Sequence, residues 1–169
     1  MSKLFMFYLG GSAPGANIEV HDVQFAVGDQ PEDAFPGLVE RWFGTKDSLH
    51  LDAYAIVEWA DGHDVILLSQ PNDSGKKLYF INMGGYLPGD LQEAHSFSLF
   101  VARDEQEAKA KAKRSLLTTV NHQHRDNQMD VDDCLLLSEI QGLHIHLKPN
   151  PHGRTFEAAW QGYRRLGAG

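Results

Sequence analysis

The first half of the chain contains a continuous apolar run followed by a segment in which apolar and polar residues alternate. Leu4 to Leu9 form a continuous apolar run bounded by Gly10 and Gly11, which predicts a buried β-strand. From Val20 to Val27, every second residue after Asp22 is apolar and large, which predicts a second, half-buried strand. We expect the two strands to form a hairpin across the Gly/Pro-rich segment between them.

A helix and a second hairpin are predicted after these strands. Residues 29–32 have the Asp-x-x-Glu form of a capping box. Helical spacing then gives one apolar face, made of Ala34, Phe35, Leu38, Val39, Trp42 and Phe43. Pro36 must lie in the first helical turn or divide the helix into two short pieces. Leu51 to Trp59 and His63 to Leu68 are predicted strands joined by a tight turn at Asp61-Gly62.

The same order recurs in the second half, so the chain contains an internal repeat. The matched positions lie 74 residues apart (84 − 10), with Gly10, Gly11, Pro14, Gly15, Glu19 and His21 recurring as Gly84, Gly85, Pro88, Gly89, Glu93 and His95. At the hairpin turn the offset is 80 (142 − 62), so six residues are inserted, around residues 121–126. Self-similarity at a fixed spacing is the sequence signature of a repeat architecture.

The repeat predicts an α+β fold built from two strand–strand–helix–strand–strand units. We expect mixed sheets, in which each helix joins two parallel strands, with the helices on the outer face. Residues 1–70 form repeat one and 71–150 repeat two, packed together as one globular unit. Residues 151–169 form a C-terminal tail, in which the spacing of Phe156, Trp160 and Tyr163 predicts a short helix.

Composition narrows the functional classes. The 169 residues carry a net charge of −8 and no basic stripe, which excludes an ordinary nucleic-acid-binding surface. The apolar run at Leu4 to Leu9 is too short for a membrane span or a signal segment, so we expect a cytoplasmic protein that does not bind membranes. A single cysteine, Cys134, allows no internal disulfide, and its apolar surroundings favour a small buried side chain over a nucleophile.

The Gly-Gly-x-x-Pro-Gly segments are candidate ligand-binding loops. Their residues are Gly10, Gly11, Pro14 and Gly15 in repeat one, and Gly84, Gly85, Pro88 and Gly89 in repeat two. Pro-Gly favours a type II turn, so one interpretation is a loop that only reverses the chain. The other is that backbone N–H groups of the loops bind an anion. The segments lack the Lys-Ser/Thr of a P-loop and lead into strands.

The Glu-x-His pairs are more specific candidates for a functional site, because they combine two metal-binding residue types. Residues i and i+2 of a strand share a face, so Glu19 lies beside His21 and Glu93 beside His95. If the repeat brings the two pairs together, they form a His₂Glu₂ set suited to zinc, manganese or iron. The alternative is that each histidine fixes its own Gly/Pro loop by hydrogen bonds. No cofactor other than this divalent metal is predicted.

Four segments, 4–28, 78–86, 108–113 and 131–134, carry a resemblance that covers roughly residues 3–148. In these segments the chain resembles a bacterial family known as domain of unknown function fifteen-forty-three. It implies a small protein with one or two copies of the domain, and it carries no catalytic residues.

Three functional hypotheses remain open. The first is a duplicated α+β module without catalytic activity that binds a small ligand or a protein partner, as a homodimer. The second is a metal-dependent enzyme that uses Glu19, His21, Glu93 and His95 around one ion, with a bound water as nucleophile or base. The third is a purely structural or assembly role. Whether the chain is an enzyme is not settled by these residues.

Overall fold

The computed structural model describes residues 1–86, 88–115 and 129–167. In chain order the elements are β1 (Lys3–Gly11), β2 (Val20–Gly28), α1 (Phe35–Arg41), β3 (His50–Ile56), β4 (Trp59–Ala60), β5 (His63–Leu68), β6 (Lys77–Tyr86), β7 (Glu93–Ala102), α2 (Glu105–Ser115), β8 (Met129–Leu137), β9 (Glu139–Ile140), β10 (Leu143–Pro149) and β11 (Ala158–Arg165). The predicted insertion at 121–126 lies outside the described residues. No helix in the described part is long and apolar enough to cross a membrane.

The chain forms two structural units, each of which contains a short piece of the other repeat. Unit 1 comprises Met1–Trp59, Ile140–Leu143 and Arg154–Gly169. Unit 2 comprises Ala60–Glu139 and His144–Gly153. The predicted α+β class is confirmed at this level, because each unit contains antiparallel strands and one α-helix.

The sheet of unit 1 has the strand order β11-β3-β1-β2. Strand β1 pairs antiparallel with both β2 and β3, and β3 pairs antiparallel with β11. Strands β2 and β3 therefore run in the same direction, but β1 lies between them. The prediction of a mixed sheet is wrong for these pairings, because the helical connection passes over β1 instead of joining neighbouring strands.

One face of this sheet packs against α1 and forms the core of unit 1. Alternate residues of β1 point to this face, and Phe5, Phe7 and Leu9 are at most 1% exposed. They meet Leu38 and Trp42 of the helical segment. Burial of apolar area at about 25 cal/mol per Å² is the main stabilising contribution here. The opposite face of β1, which carries Tyr8 and Gly10, faces away from α1.

Pro36 divides the predicted helix in two, as one of the sequence alternatives states. A 3₁₀ turn covers Pro31–Ala34, and α1 begins at Phe35 with Pro36 in its first turn. Phe43 was predicted on the apolar face but is 59% exposed. The helix ends before it, at Arg41, and the chain is extended at Trp42.

The predicted C-terminal helix is wrong, because this segment forms strand β11 on the edge of the unit 1 sheet. A spacing of three residues places side chains on opposite faces of a strand. Trp160 accordingly stacks on Tyr54 on the core side, and Tyr163 packs on His50 on the other side. The expected docking of tail aromatics does occur, within the chain.

Unit 2 repeats the central part of this architecture. Its three-stranded sheet has the order β7-β6-β8, with both pairings antiparallel. Helix α2 covers one face through Ala108 and Ala112, both fully buried. Strands β5 and β10, one from each repeat, also pair antiparallel within this unit. Where the two helices lie in the molecule as a whole stays a prediction.

The hairpin turns make equivalent contacts in the two units. Asp61 and Gly62 both have positive φ, as do Gln141 and Gly142, which is the geometry of a type I′ turn. The Asp61 carboxylate accepts a hydrogen bond from the N–H of Val101 at 2.9 Å. The Gln141 side-chain oxygen accepts one from the N–H of Val27, the residue that matches Val101 in repeat one, at 2.6 Å. The duplication therefore extends to individual hydrogen bonds.

Candidate functional site

The Gly-Gly and Pro-Gly parts of each candidate loop have different places in the structure. Gly10 and Gly11 lie within β1, and Gly84 and Gly85 within β6, so these four are strand residues and their prediction as loop residues is wrong. Apolar periodicity ends at the glycines, but backbone pairing continues through them.

The Pro-Gly positions do form turns. Gly15 and Gly89, which follow Pro14 and Pro88, have φ of 80° and 87°. The N–H of Ala16 donates to the carbonyl oxygen of Ala13 at 3.0 Å, which closes a type II turn around Pro14 and Gly15. Binding of an anion by these loops stays a prediction.

Glycine is required at position 10 because side chains from both neighbouring strands lie above it. Gly10 pairs with His21 of β2 and with His50 of β3. A methyl group on Gly10 would lie 2.6 Å from His50 Nε2 and 2.8 Å from Asp52 Oδ2. Glycine inside a strand is typical of a place where other groups approach the backbone closely.

A β-bulge in β3 brings Asp52 to the same place. Leu51 pairs with Leu9 and Ala53 with Tyr8, so Asp52 is the additional residue between two paired positions. His50 and Asp52 consequently project from one short stretch of β3, on the face opposite α1. Bulges of this kind redirect side chains and occur often beside functional sites.

Four side chains meet above Gly10, and we call them the His–carboxylate cluster: Glu19, His21, His50 and Asp52. His21 Nε2 lies 3.4 Å from an oxygen of Glu19 and 3.4 Å from an oxygen of Asp52. His50 Nε2 lies 2.8 Å from the other Glu19 oxygen and 3.2 Å from the other Asp52 oxygen. Each of the two Nε2 atoms therefore lies within 3.4 Å of both carboxylates.

The contacts of His50 show what its Nε2 atom requires. His50 Nδ1 lies 3.1 Å from the carbonyl oxygen of Ser48, and a carbonyl only accepts, so Nδ1 carries the proton. In the neutral imidazole, Nε2 then presents a lone pair to two carboxylates, which also only accept. A second proton or a metal cation is needed at Nε2 to make these contacts favourable.

His63 shows how the same arrangement is completed elsewhere in the protein. Its Nδ1 lies 2.8 Å from the carbonyl oxygen of Asp61, again two residues earlier in the chain. Its Nε2 lies 3.0 Å from the Lys76 ammonium, a cation that donates to the lone pair. His63 and His50 are both buried, at 8% and 5% exposure, and at His50 the group facing Nε2 is anionic instead.

The distances within the cluster favour a shared cation over direct ion pairs. Charge-assisted N–H···O bonds are typically about 2.7–2.9 Å long, and three of the four contacts are 3.2 Å or longer. Ligands about 2.0–2.1 Å from a tetrahedral ion lie roughly 3.3 Å from each other. Among the described residues, no group of three or more His, Cys, Asp or Glu side chains has the geometry to hold a metal ion without a side-chain movement. The nitrogens and oxygens contact one another directly.

Two tyrosine rings flank the cluster. Tyr8 stacks on the His21 ring, with 5.2 Å between centroids and an interplanar angle of 6°. Tyr163, from the tail strand β11, packs on the His50 ring with a centroid distance of 4.4 Å. Burial raises the pKa of the Tyr8 phenol, and the nearby Asp52 and Glu19 carboxylates raise it further. The Tyr8 side chain is therefore uncharged at physiological pH where it stacks on His21.

The matched residues in unit 2 form a looser arrangement. His95 Nε2 lies 3.6 Å from Glu93, and His95 Nδ1 lies 3.4 Å from Asp132. The two carboxylates thus approach different nitrogens of one ring. Asp130 takes the place of His50, because it pairs with Gly84 as His50 pairs with Gly10.

The sequence identified half of the His–carboxylate cluster. Glu19 and His21 were predicted correctly as neighbours, and so were Glu93 and His95. The idea that one ion joins both pairs stays a prediction. His50 and Asp52 were missed, although a comparison at the offset of 80 residues matches Asp52 with Asp132 and would have drawn attention to them.

Comparison with known proteins agrees with the duplication. The model of the family called Domain of Unknown Function (DUF1543) matches the chain twice, at residues 16–67 and 90–147. The crystal structure of the protein Il1583 from Idiomarina loihiensis is similar to this chain, with 32% identity, coverage of 100% of both chains and a TM-score of 0.77. No curated protein gives a significant match. The chain therefore belongs to the Domain of Unknown Function (DUF1543) family and carries two copies of its domain.

Proposed function

We propose that this chain is a duplicated binding module without catalytic activity, whose ligand is a divalent transition-metal ion held by the His–carboxylate cluster of unit 1. The observation that carries the proposal is the position of His50 Nε2, 2.8 Å from a Glu19 oxygen and 3.2 Å from an Asp52 oxygen, where a neutral imidazole with its proton on Nδ1 presents a lone pair. A metal cation at this point accepts the lone pairs of both imidazoles and neutralises both carboxylates.

The charge of the cluster supports a divalent ion. Among the described residues, the ion pairs of Glu19 and Asp52 are made with His21 and His50 and with no lysine or arginine. With neutral imidazoles the cluster carries two negative charges, which one divalent ion balances. Paired imidazole and carboxylate donors suit zinc, iron and manganese, and zinc is the simplest probe.

Entry of the ion requires only a small rearrangement. The 2.8 Å contact between His50 and Glu19 must lengthen by about half an ångström to reach the roughly 3.3 Å edge of a tetrahedral site. Glu19 is free to make this change, since its side chain is 49% exposed. His50, at 6% side-chain exposure, is held by Ser48 and provides the fixed end of the site.

The number of donors favours binding over a reaction at the metal. Catalytic zinc sites commonly keep three protein ligands and an open position for water, whereas structural sites have four protein ligands. The cluster offers four donor groups. The alternative is a metal-dependent enzyme with one ion shared between both Glu-x-His pairs, and it predicts that repeat two contributes to metal binding.

A zinc-binding measurement with matched variants tests the proposal. Untagged protein is dialysed to equilibrium against zinc, and the bound metal is measured by elemental analysis. We expect one ion per chain, a loss of affinity above about 100-fold in Glu19→Gln, and none in Glu93→Gln, which is the same change at the matched position of repeat two.

Thermal unfolding followed by circular dichroism confirms that both variants are folded. The proposal is wrong if the wild-type protein binds no zinc, or if Glu19→Gln binds as tightly as wild type. Equal losses in Glu19→Gln and Glu93→Gln would instead support one ion shared by both pairs.

A further inference from the structure

The two units differ at the residue that faces the strand glycine. Three of the four residues of the His–carboxylate cluster have identical counterparts in unit 2: Glu19 and Glu93, His21 and His95, Asp52 and Asp132. The fourth is His50 in unit 1 and Asp130 in unit 2, paired with Gly10 and Gly84 respectively.

This difference changes how the remaining donors are arranged. In unit 1 both carboxylates point to the Nε2 atoms of His21 and His50, so their oxygens converge. Among the described residues of unit 2 that match the cluster, His95 is the one imidazole, and Glu93 and Asp132 approach its two different nitrogens. A neutral imidazole has a lone pair on one of its two nitrogens and a proton on the other, so a single ring supplies one donor atom to an ion.

Asp130 does not replace the missing donor, because it is engaged elsewhere. Its carboxylate accepts a hydrogen bond from the N–H of Val131 at 2.8 Å and lies 3.3 Å from the Lys113 ammonium. The Val131 N–H, and then Lys113, hold the pKa of this carboxyl below its usual range. Its side chain is 82% exposed, so the position tolerates substitution better than the buried His50.

We infer that the residue facing the strand glycine determines which unit binds a transition metal: unit 1 binds one through His50, and unit 2, with Asp130 in that place, does not. This inference rests on the proposed function, and it adds that the described residues matching the cluster in unit 2 are one imidazole short of a site. Imidazole donors raise the affinity for zinc relative to a set made mainly of oxygens. His50 is therefore the residue that gives the cluster its specificity.

A gain-of-function variant tests the inference. Asp130→His supplies a second imidazole above Gly84, and we expect the zinc stoichiometry of the full chain to rise from one to two. Asp130→Asn is the matched control, because it also removes the carboxylate and its pairing with Lys113 but adds no imidazole, and we expect its stoichiometry to stay at one.

The reciprocal change tests the other unit. His50→Asp gives unit 1 the donor set of unit 2, and we expect zinc binding to be lost. In the double variant His50→Asp with Asp130→His, we expect one ion per chain, bound in unit 2. Adding Glu93→Gln to the double variant should then abolish binding, whereas the same change leaves the wild-type protein unaffected.

The results separate the inference from the proposed function. If the wild-type protein binds one ion and folded Asp130→His also binds one, the inference is wrong and the proposed function stands. If Asp130→Asn also binds two ions, charge rather than the imidazole is decisive and the inference is wrong. If the wild-type protein binds none, the proposed function is wrong.

Discussion

Replacing Gly10 by alanine should abolish tight metal binding while leaving the fold intact. The added methyl group lies 2.6 Å from His50 Nε2 and 2.8 Å from Asp52 Oδ2, whereas ordinary contacts begin at 3.4 Å. The imidazole must therefore retreat by about 0.8 Å (3.4 − 2.6). Metal–ligand distances tolerate a change of only about 0.2 Å. We expect the zinc affinity to fall by at least about tenfold, or about 1.4 kcal/mol.

The affinity is measured by competition with a chromogenic zinc chelator. Gly84→Ala is the matched control, because its methyl group meets the corresponding carboxylate, Asp132 Oδ2, at 2.6 Å in the unit that we expect to bind no zinc. The reasoning is refuted if folded Gly10→Ala binds zinc as tightly as wild type, or if Gly84→Ala loses as much affinity as Gly10→Ala.

Three further predictions concern stability. Leu38→Ala removes a fully buried side chain from the core of unit 1 and should lower the free energy of unfolding by about 2–5 kcal/mol in urea titrations. Gly15→Ala meets no neighbour within 4 Å, but its φ of 80° is strained for alanine, so we expect a loss of about 1 kcal/mol with unchanged zinc affinity. The Arg164 side chain, which donates a hydrogen bond to Glu32, is the largest cause holding the pKa of that carboxyl below its ordinary value. A lowered folded-state pKa adds stability at neutral pH that is lost as the pH falls through it. Glu32→Gln should therefore lower the melting temperature at neutral pH, and this difference from wild type should vanish in acid; an equal difference at both pH values would contradict the assignment.

The order of elements along the chain was predictable because the same succession of apolar runs and turn residues occurs in both repeats. Apolar runs and alternation locate β1, β2 and β5, and the two hairpin turns follow from Asp61-Gly62 and its counterpart. The order of the strands within the sheet was harder to predict. Contacts between distant segments decide which strands become neighbours, and no local sequence pattern indicates that β1 lies between β2 and β3 in unit 1.

The errors at Gly10 and in the tail have a common physical origin. Glycine favours turns on its own, but at position 10 it is the only residue small enough to lie beneath His50 and Asp52. The tail segment has helical spacing, yet pairing with β3 and contacts of Trp160 with Tyr54 stabilise a strand. In both cases tertiary contacts override local preference.

The His–carboxylate cluster was half predictable for a similar reason. Glu19 and His21 are two residues apart, so alternation along a strand predicts them on one face, although β2 itself begins at Val20. His50 and Asp52 reach the same point from another strand, and the β-bulge that turns Asp52 toward it has no local signature in the sequence. Comparing the repeats at both offsets, 74 and 80, is the sequence operation that recovers Asp52.

A crystal of the protein grown with zinc, measured on both sides of the zinc absorption edge, tests the central claim most directly. We expect one anomalous peak per chain, about 2.0–2.1 Å from the Nε2 atoms of His21 and His50 and bound by the carboxylates of Glu19 and Asp52. Zinc in the crystallisation solution with no peak at this position, and the imidazoles still in direct contact with the carboxylates, would contradict the account.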